Sequence, residues 1–178
     1  MSDARDIRNL ALVGFMGAGK STTGRLAAAQ LHFNFVDTDD LIEQRAGKRI
    51  PEIFAHDGET RFRALEAAVV ADLAQVSKTV IATGGGLILN PANLASLRKH
   101  SLVLCLWASP KVIWERVRNQ THRPLLQDAD PFGRVQRLLA ERTPAYRQAD
   151  VLVSTELRSQ REVAQQVIHQ FRLALAAR

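Results

Sequence analysis

The 178-residue sequence predicts a three-layer α/β/α fold: a five-stranded parallel sheet between helices, a glycine-rich loop joining the first strand to the first helix, and a mobile lid. Three observations lead there. Five short apolar runs punctuate the chain, continuous rather than alternating, as strands buried on both faces are. Stretches with apolar spacings of three and four lie between them, the signature of helices. Glycines cluster where the first and third runs end, at the strand ends where parallel sheets gather ligands.

In chain order, the first run is Leu10-Ala11-Leu12-Val13; the loop from Gly14 to Gly19 follows, and Thr22 to Ala29 continues as a helix. The second run is Phe33-Asn34-Phe35-Val36. Asp39 to Gly58 then holds two short helical pieces, punctuated by Gly47 and by Pro51 at a first helical position. Residues from about 37 to 66 read as an insertion that builds a pocket. Phe62, Leu65, Val69, Leu73 and Val76 mark a helix that leads to the third run, Thr79-Val80-Ile81-Ala82. The fourth is Leu102 to Trp107, with Cys105 a buried mid-strand residue and Trp107 and Trp114 assigned to the core. Asn119 to Pro131 has little periodicity and several prolines and aspartates, so the lid is expected at about 116–131. Val151-Leu152-Val153 is the fifth run, and Arg161 to Ala177 closes the chain as a helix with Val163, Val167, Ile168, Phe171 and Leu175 on one face. No linker, repeat or low-complexity tract divides residues 1–178, so one domain is expected.

Composition narrows the function. Apolar residues are 46% and charged residues 24%, the balance of a folded chain rather than a disordered one. No apolar run approaches the roughly 18 residues of a membrane span. The N-terminal residues carry no export signal, and the one cysteine cannot form an internal disulfide, so a reduced, cytoplasmic setting is expected. Net charge is +6, with 10 basic against 11 acidic residues in 1–90 and 14 against 7 in 91–178. The arginines of the second half are dispersed singly, which suits a pocket for a small anion better than a nucleic-acid surface. No histidine has metal-ligand spacing, and no exposed apolar stripe asks for a partner, so a monomer without nucleic-acid or membrane partners is expected.

Gly14-Phe15-Met16-Gly17-Ala18-Gly19-Lys20-Ser21 matches G-x-x-x-x-G-K-[ST], between a strand and a helix. Its backbone N–H groups and the helix N-terminus suit a phosphate, Lys20 would reach the β- and γ-phosphates, and the Ser21 hydroxyl would ligate Mg²⁺. Asp37-Thr38-Asp39 follows the second strand, where residues two apart point to the same side. One carboxylate can take a hydroxyl proton and the other can serve Mg²⁺; equally, Asp39 and Asp40 can be first-turn acids of the next helix. Thr83-Gly84-Gly85-Gly86 reads either as a place of close approach or as a plain turn. Arg63, with Glu66 three residues on, and Arg142 are uninformative alone.

Together these segments resemble shikimate kinases. Gly17 to Thr22, Asp37-Thr38-Asp39, Phe62-Arg63, Gly84-Gly85-Gly86, Arg123-Pro124-Leu125-Leu126 and Arg142-x-Pro-x-Tyr146 stand in that family's order, and the likeness runs from about Leu10 to about Ile168. The resemblance implies transfer of the γ-phosphoryl of ATP to the 3-hydroxyl of shikimate, with Mg²⁺, on a fold like that of nucleoside monophosphate kinases with the phosphate-loop strand central. It implies that Gly17, Ala18, Gly19, Lys20, Ser21 and Thr22 hold ATP phosphates and that Ser21 and Asp37 serve the metal. Asp39 would hold the shikimate hydroxyls, Arg63 and Arg142 its carboxylate, and Gly84, Gly85 and Gly86 would complete the pocket. Arg123 would come from the lid onto the phosphates, and Arg116 and Arg158 would lie by the adenine. Two rivals share the fold: a non-catalytic acyl-CoA-sensing domain, and another small-molecule kinase such as a gluconate kinase.

Overall fold

The computed structural model describes residues 5–119 and 129–177. Five strands, β1 (Asn9–Val13), β2 (Asn34–Asp37), β3 (Thr79–Ala82), β4 (Ser101–Trp107) and β5 (Val151–Ser154), pair in parallel in the order β2-β3-β1-β4-β5. The expected sheet is therefore present, with the glycine-loop strand at its centre: Ala11 of β1 lies between Ile81 of β3 and Val103 of β4. All five β1 residues are buried, and so are all four of β3, which accounts for the apolar runs that follow the buried polar residues Asn9 and Thr79 at their starts.

Helices cover both faces. They are α1 (Lys20–Leu31), α2 (Thr38–Ala46), α3 (Ile50–Glu52), α4 (Gly58–Leu73), α5 (Pro91–His100), α6 (Pro110–Val117), α7 (Pro131–Tyr146) and α8 (Gln160–Ala176). Their ends carry the expected signals. Gly47 takes the left-handed conformation that stops α2, and prolines open α3, α5, α6 and α7. Ser159 and Glu162 form a reciprocal capping box on α8. That helix docks on α1 and the chain after it, with Phe171 edge-on to Phe33 at 5.7 Å.

Two boundaries differ from the sequence reading in ways that matter for the site. The second strand starts and ends one residue later, because the Phe33 N–H closes α1 by donating to Ala28 O at 2.9 Å and pairing with β3 begins at Asn34. Asp37 thereby joins the ladder opposite Ala82, at the C-terminal edge of the sheet. Between α3 and α4, Ile53–Asp57 form one π-helical turn, in which Ile53 is fully buried while Phe54 turns outward and packs on Phe62 at 4.6 Å. The inserted segment is thus nearly continuous helix, with its apolar side pinned to the core.

Candidate functional site

The loop after β1 folds as its glycines require. Gly17 and Gly19 have φ of 74° and 91°, a region that residues with side chains rarely adopt. Lys20 opens α1 and bends back, its Nζ donating to Gly14 O at 2.9 Å and Phe15 O at 3.0 Å. The ammonium is therefore held inside the loop, over the place a bound phosphate occupies in such a nest. Next to it, the Ser21 hydroxyl donates to Asp37 Oδ2 at 2.6 Å. A cleft of about 310 Å³ is bounded by this loop, by Asp37 and Asp39, and by Thr83 and Gly85.

The two aspartates do share the cleft, but for a different reason than extended spacing. The strand stops at Asp37, whose Oδ1 accepts the Asp39 N–H at 3.1 Å as the cap of α2. Asp39 is a first-turn acid and a cleft residue at once, so the two readings left open coincide. Thr38 points away, fully buried, and its Oγ1 accepts the Gly84 N–H at 2.9 Å. Burial pushes the Asp39 carboxyl up to about 6; Asp37 adds to the rise and Lys20 opposes it.

Close approach is what Gly84 and Gly86 permit. None of them has positive φ, yet a Cβ added at Gly84 would lie 2.5 Å from Asp39 Oδ1. One at Gly86 would lie 3.0 Å from Arg63 Nη1, and one at Gly85 3.6 Å from Arg142 Nη1. Gly84 and Gly86 thus each give their space to one charged side chain, while at Gly85 the contacts would be ordinary ones, with Met16 N at 3.5 Å beside Arg142. Arg142 and Tyr146, four residues apart on α7, present the same face. Both donate to the Gly85 carbonyl, Arg142 Nη1 at 3.4 Å and the Tyr146 hydroxyl at 2.6 Å, while the guanidinium lies over Phe15, 5.5 Å from its ring centre.

Arg63 is far from a lone surface arginine. Its Nη1 donates to Glu66 at 2.7 Å, and its Nε and Nη2 reach Glu59 at 3.2 and 3.0 Å. Glu66 is 2% exposed; burial raises its pKa against the pull of Arg63. The sequence marked Glu66 only as a possible partner, and it gave no sign that this carboxylate would be enclosed.

A second cleft, about 270 Å³, lies across Gly17 and Gly19. Arg116 and Arg158 both line it. Arg116 is fixed by Thr155, donating to Oγ1 at 2.9 Å and to the carbonyl at 2.8 Å. Arg158 is held by Ser154 O at 3.0 Å and Gln166 Oε1 at 2.6 Å. Thr155 and Tyr146 are the contributors that sequence reasoning missed; only the latter stood in a quoted motif. Arg123 and the centre of the expected lid lie outside the described residues.

Cys105 is fully buried, with burial driving its thiol up to about 12, which leaves it a packing residue. Among the described residues no three His, Cys, Asp or Glu side chains gather as a metal cage. The donors beside Lys20 are one hydroxyl and one carboxylate, a set that suits Mg²⁺ when phosphates and waters complete its octahedron.

The sequence profile of the family described as shikimate kinase matches residues 16–172. A shikimate kinase of Caldanaerobacter subterraneus subsp. tengcongensis is 45% identical over 93% of this chain and 96% of its own. The structure of shikimate kinase from Acinetobacter baumannii in complex with shikimate superposes with a TM-score of 0.88 at 35% identity, covering 98% of this chain and 96% of that one. A gluconokinase from Sinorhizobium meliloti shares the fold, with a TM-score of 0.63 at 20% identity over 97% of each chain. Family profile, close relatives and the arrangement around Gly84 to Gly86 agree, and this chain belongs to the shikimate kinase family.

Proposed function

We infer that this protein transfers the γ-phosphoryl group of ATP to the 3-hydroxyl of shikimate, a step toward chorismate and the aromatic amino acids. The observation that carries this reading is the convergence of Asp39, Arg63 and Arg142 on the turn Gly84 to Gly86, which borders the cleft that Lys20 and Asp39 line. Two guanidinium groups and one carboxylate match a ligand that is an acid at one end and a polyol at the other. No comparable observation favours an acyl-CoA sensor, and the gluconokinase likeness extends to the fold alone.

The chemistry asks mainly for positioning and charge. The loop from Gly14 to Gly19 and the Lys20 ammonium receive the β- and γ-phosphates, Ala18 and Thr22 complete the loop's wall, and Arg116 and Arg158 flank the adenine cleft. Arg63 and Arg142 hold the shikimate carboxylate. Asp39 orients the acceptor hydroxyl and takes its proton: a carboxyl near 6 is ionised at neutral pH and more basic than an exposed aspartate. Ser21 and Asp37 would hold Mg²⁺, which when bound neutralises phosphate charge. Arg123 is assigned to the phosphates from a lid at about 116–131, closing to keep water from the γ-phosphoryl. We read residues 1–178 as one such domain, with its substrate segment at 37–66, acting as a cytoplasmic monomer. Among the described residues no helix is long and apolar enough to cross a membrane.

The test is ADP release from Mg·ATP with shikimate, gluconate and nucleoside monophosphates as separate acceptors. Release with shikimate alone is expected. Release with another acceptor, or none while ATP still binds, contradicts the assignment.

A further inference from the structure

Arg63 is already between two carboxylates before any ligand arrives. Glu66 takes Nη1 at 2.7 Å, and one Glu59 oxygen bridges the Nε–Nη2 edge at 3.2 and 3.0 Å. The two acids differ in how they are held. Glu66 has 2% of its side chain exposed, Glu59 67%, and the contact with Glu59 spans one turn of α4. One positive charge flanked by two negative ones is a poor receptor for a third, and the buried Glu66 has no water to retreat into. Glu59 does.

We propose that Glu59 is an internal competitor for the carboxylate of the acceptor: it occupies the Nε–Nη2 edge of Arg63 in the unliganded enzyme and swings into solvent when the substrate's carboxylate enters. Glu66 stays, and continues to aim the guanidinium at Gly86. Glu59 therefore sets the affinity for the acid substrate without touching the reacting atoms, as a positioning residue that acts through Arg63. The exchange makes and breaks ion pairs only, and substitutes one carboxylate for another on the same N–H groups. The inference rests on the reading that Arg63 receives the acceptor's carboxylate.

A plain structural role for Glu59 also exists, since an acid in the first turn favours a helix. Losing that role would lower the melting temperature slightly and would not tighten binding. The experiment is calorimetric titration of the nucleotide-free enzyme with shikimate and with shikimate methyl ester, using wild type, Glu59→Gln and Asp57→Asn. Asp57 is a nearby carboxylate that pairs with Lys48, at 2.9 Å, and not with Arg63. Glu59→Gln is expected to bind shikimate about two- to five-fold more tightly, the scale of an exposed ion pair. The ester should gain nothing from that variant, and Asp57→Asn should leave both ligands unchanged. Unchanged or weaker acid binding by Glu59→Gln overturns the proposal. So does an equal gain for the ester, or the same gain from Asp57→Asn, which would point to a general charge effect. If wild type does not distinguish acid from ester, the Arg63 reading itself fails; if it does and Glu59→Gln is silent, only the competitor fails.

Discussion

Thr38 Oγ1 accepts the Gly84 N–H at 2.9 Å, and this one buried bond ties the end of β2 to the glycine turn after β3. It stands between the two cleft aspartates in sequence and points the opposite way, so it fixes how far Asp39 lies from the turn. Thr38→Val keeps the shape and removes the acceptor. A buried N–H left without a partner costs about 1–3 kcal/mol. The expected outcome is a lower urea midpoint together with slower turnover, and Thr38→Ser should restore most of both.

Gly84→Ala tests close approach directly. The added methyl would sit 2.5 Å from Asp39 Oδ1, so the carboxylate must shift. Displacement of a reacting group by about 1 Å can cost on the order of a hundredfold in rate. Turnover should fall on that scale while ATP affinity, set by the loop from Gly14 to Gly19, holds. Steady-state kinetics with equilibrium ATP binding separates the two.

The pH profile follows from Asp39. Burial, with help from Asp37, raises its carboxyl to about 6, and the ionised form accepts the proton. The kcat/KM for shikimate should therefore fall as pH drops below about 6, and Asp39→Asn should be slow and lack that limb. Stability runs in the other sense. The folded group binds its proton more tightly than the unfolded one, so its contribution to folding is complete below about 4 and is lost as pH rises through about 6. Asp39→Asn should consequently gain more in urea midpoint over wild type at pH 7 than at pH 5.

Arg63→Ala should weaken shikimate binding by about 1.5–3 kcal/mol, the range for hydrogen bonds to charged groups, with ATP binding unchanged. It should also lower the melting temperature, because Glu66 loses its closest cation inside the protein. Removing Glu66 as well, in Arg63→Ala/Glu66→Gln, should recover stability without recovering affinity. Calorimetric titration beside thermal unfolding reads both.

Much of this was legible from residue order because its causes are local. The five strands announce themselves by short apolar runs, unbroken in β1, β3 and β4 because both faces are covered and half-exposed in the edge strands β2 and β5, and the phosphate loop by glycines and a lysine within eight residues. The triple glycine signalled close approach, though nothing nearby in sequence told which groups approach. Those groups, Asp39, Arg63 and Arg142, lie 45, 23 and 57 residues from Gly84, Gly86 and Gly85, so only chain order and family likeness pointed to them. What stayed hidden depends on contacts between distant segments. Thr38 looked like the residue facing away, which it is, and its bond to Gly84 is set by the pairing of β2 with β3. Glu66 looked like an ordinary helix partner, and its burial comes from α4 packing on the rest of the fold. Thr155 holds Arg116 across 39 residues, a link made by the sheet bringing the end of β5 next to α6.

The most direct test of the central claim is the position of the transferred phosphate. Purified enzyme, Mg·ATP and shikimate are incubated, and the product is read by ³¹P–¹H correlation NMR. The proposed function, with Asp39 orienting one hydroxyl toward the Lys20 loop, predicts one product, coupled to the ring proton at carbon 3. A phosphate on another oxygen, or inorganic phosphate alone, contradicts it.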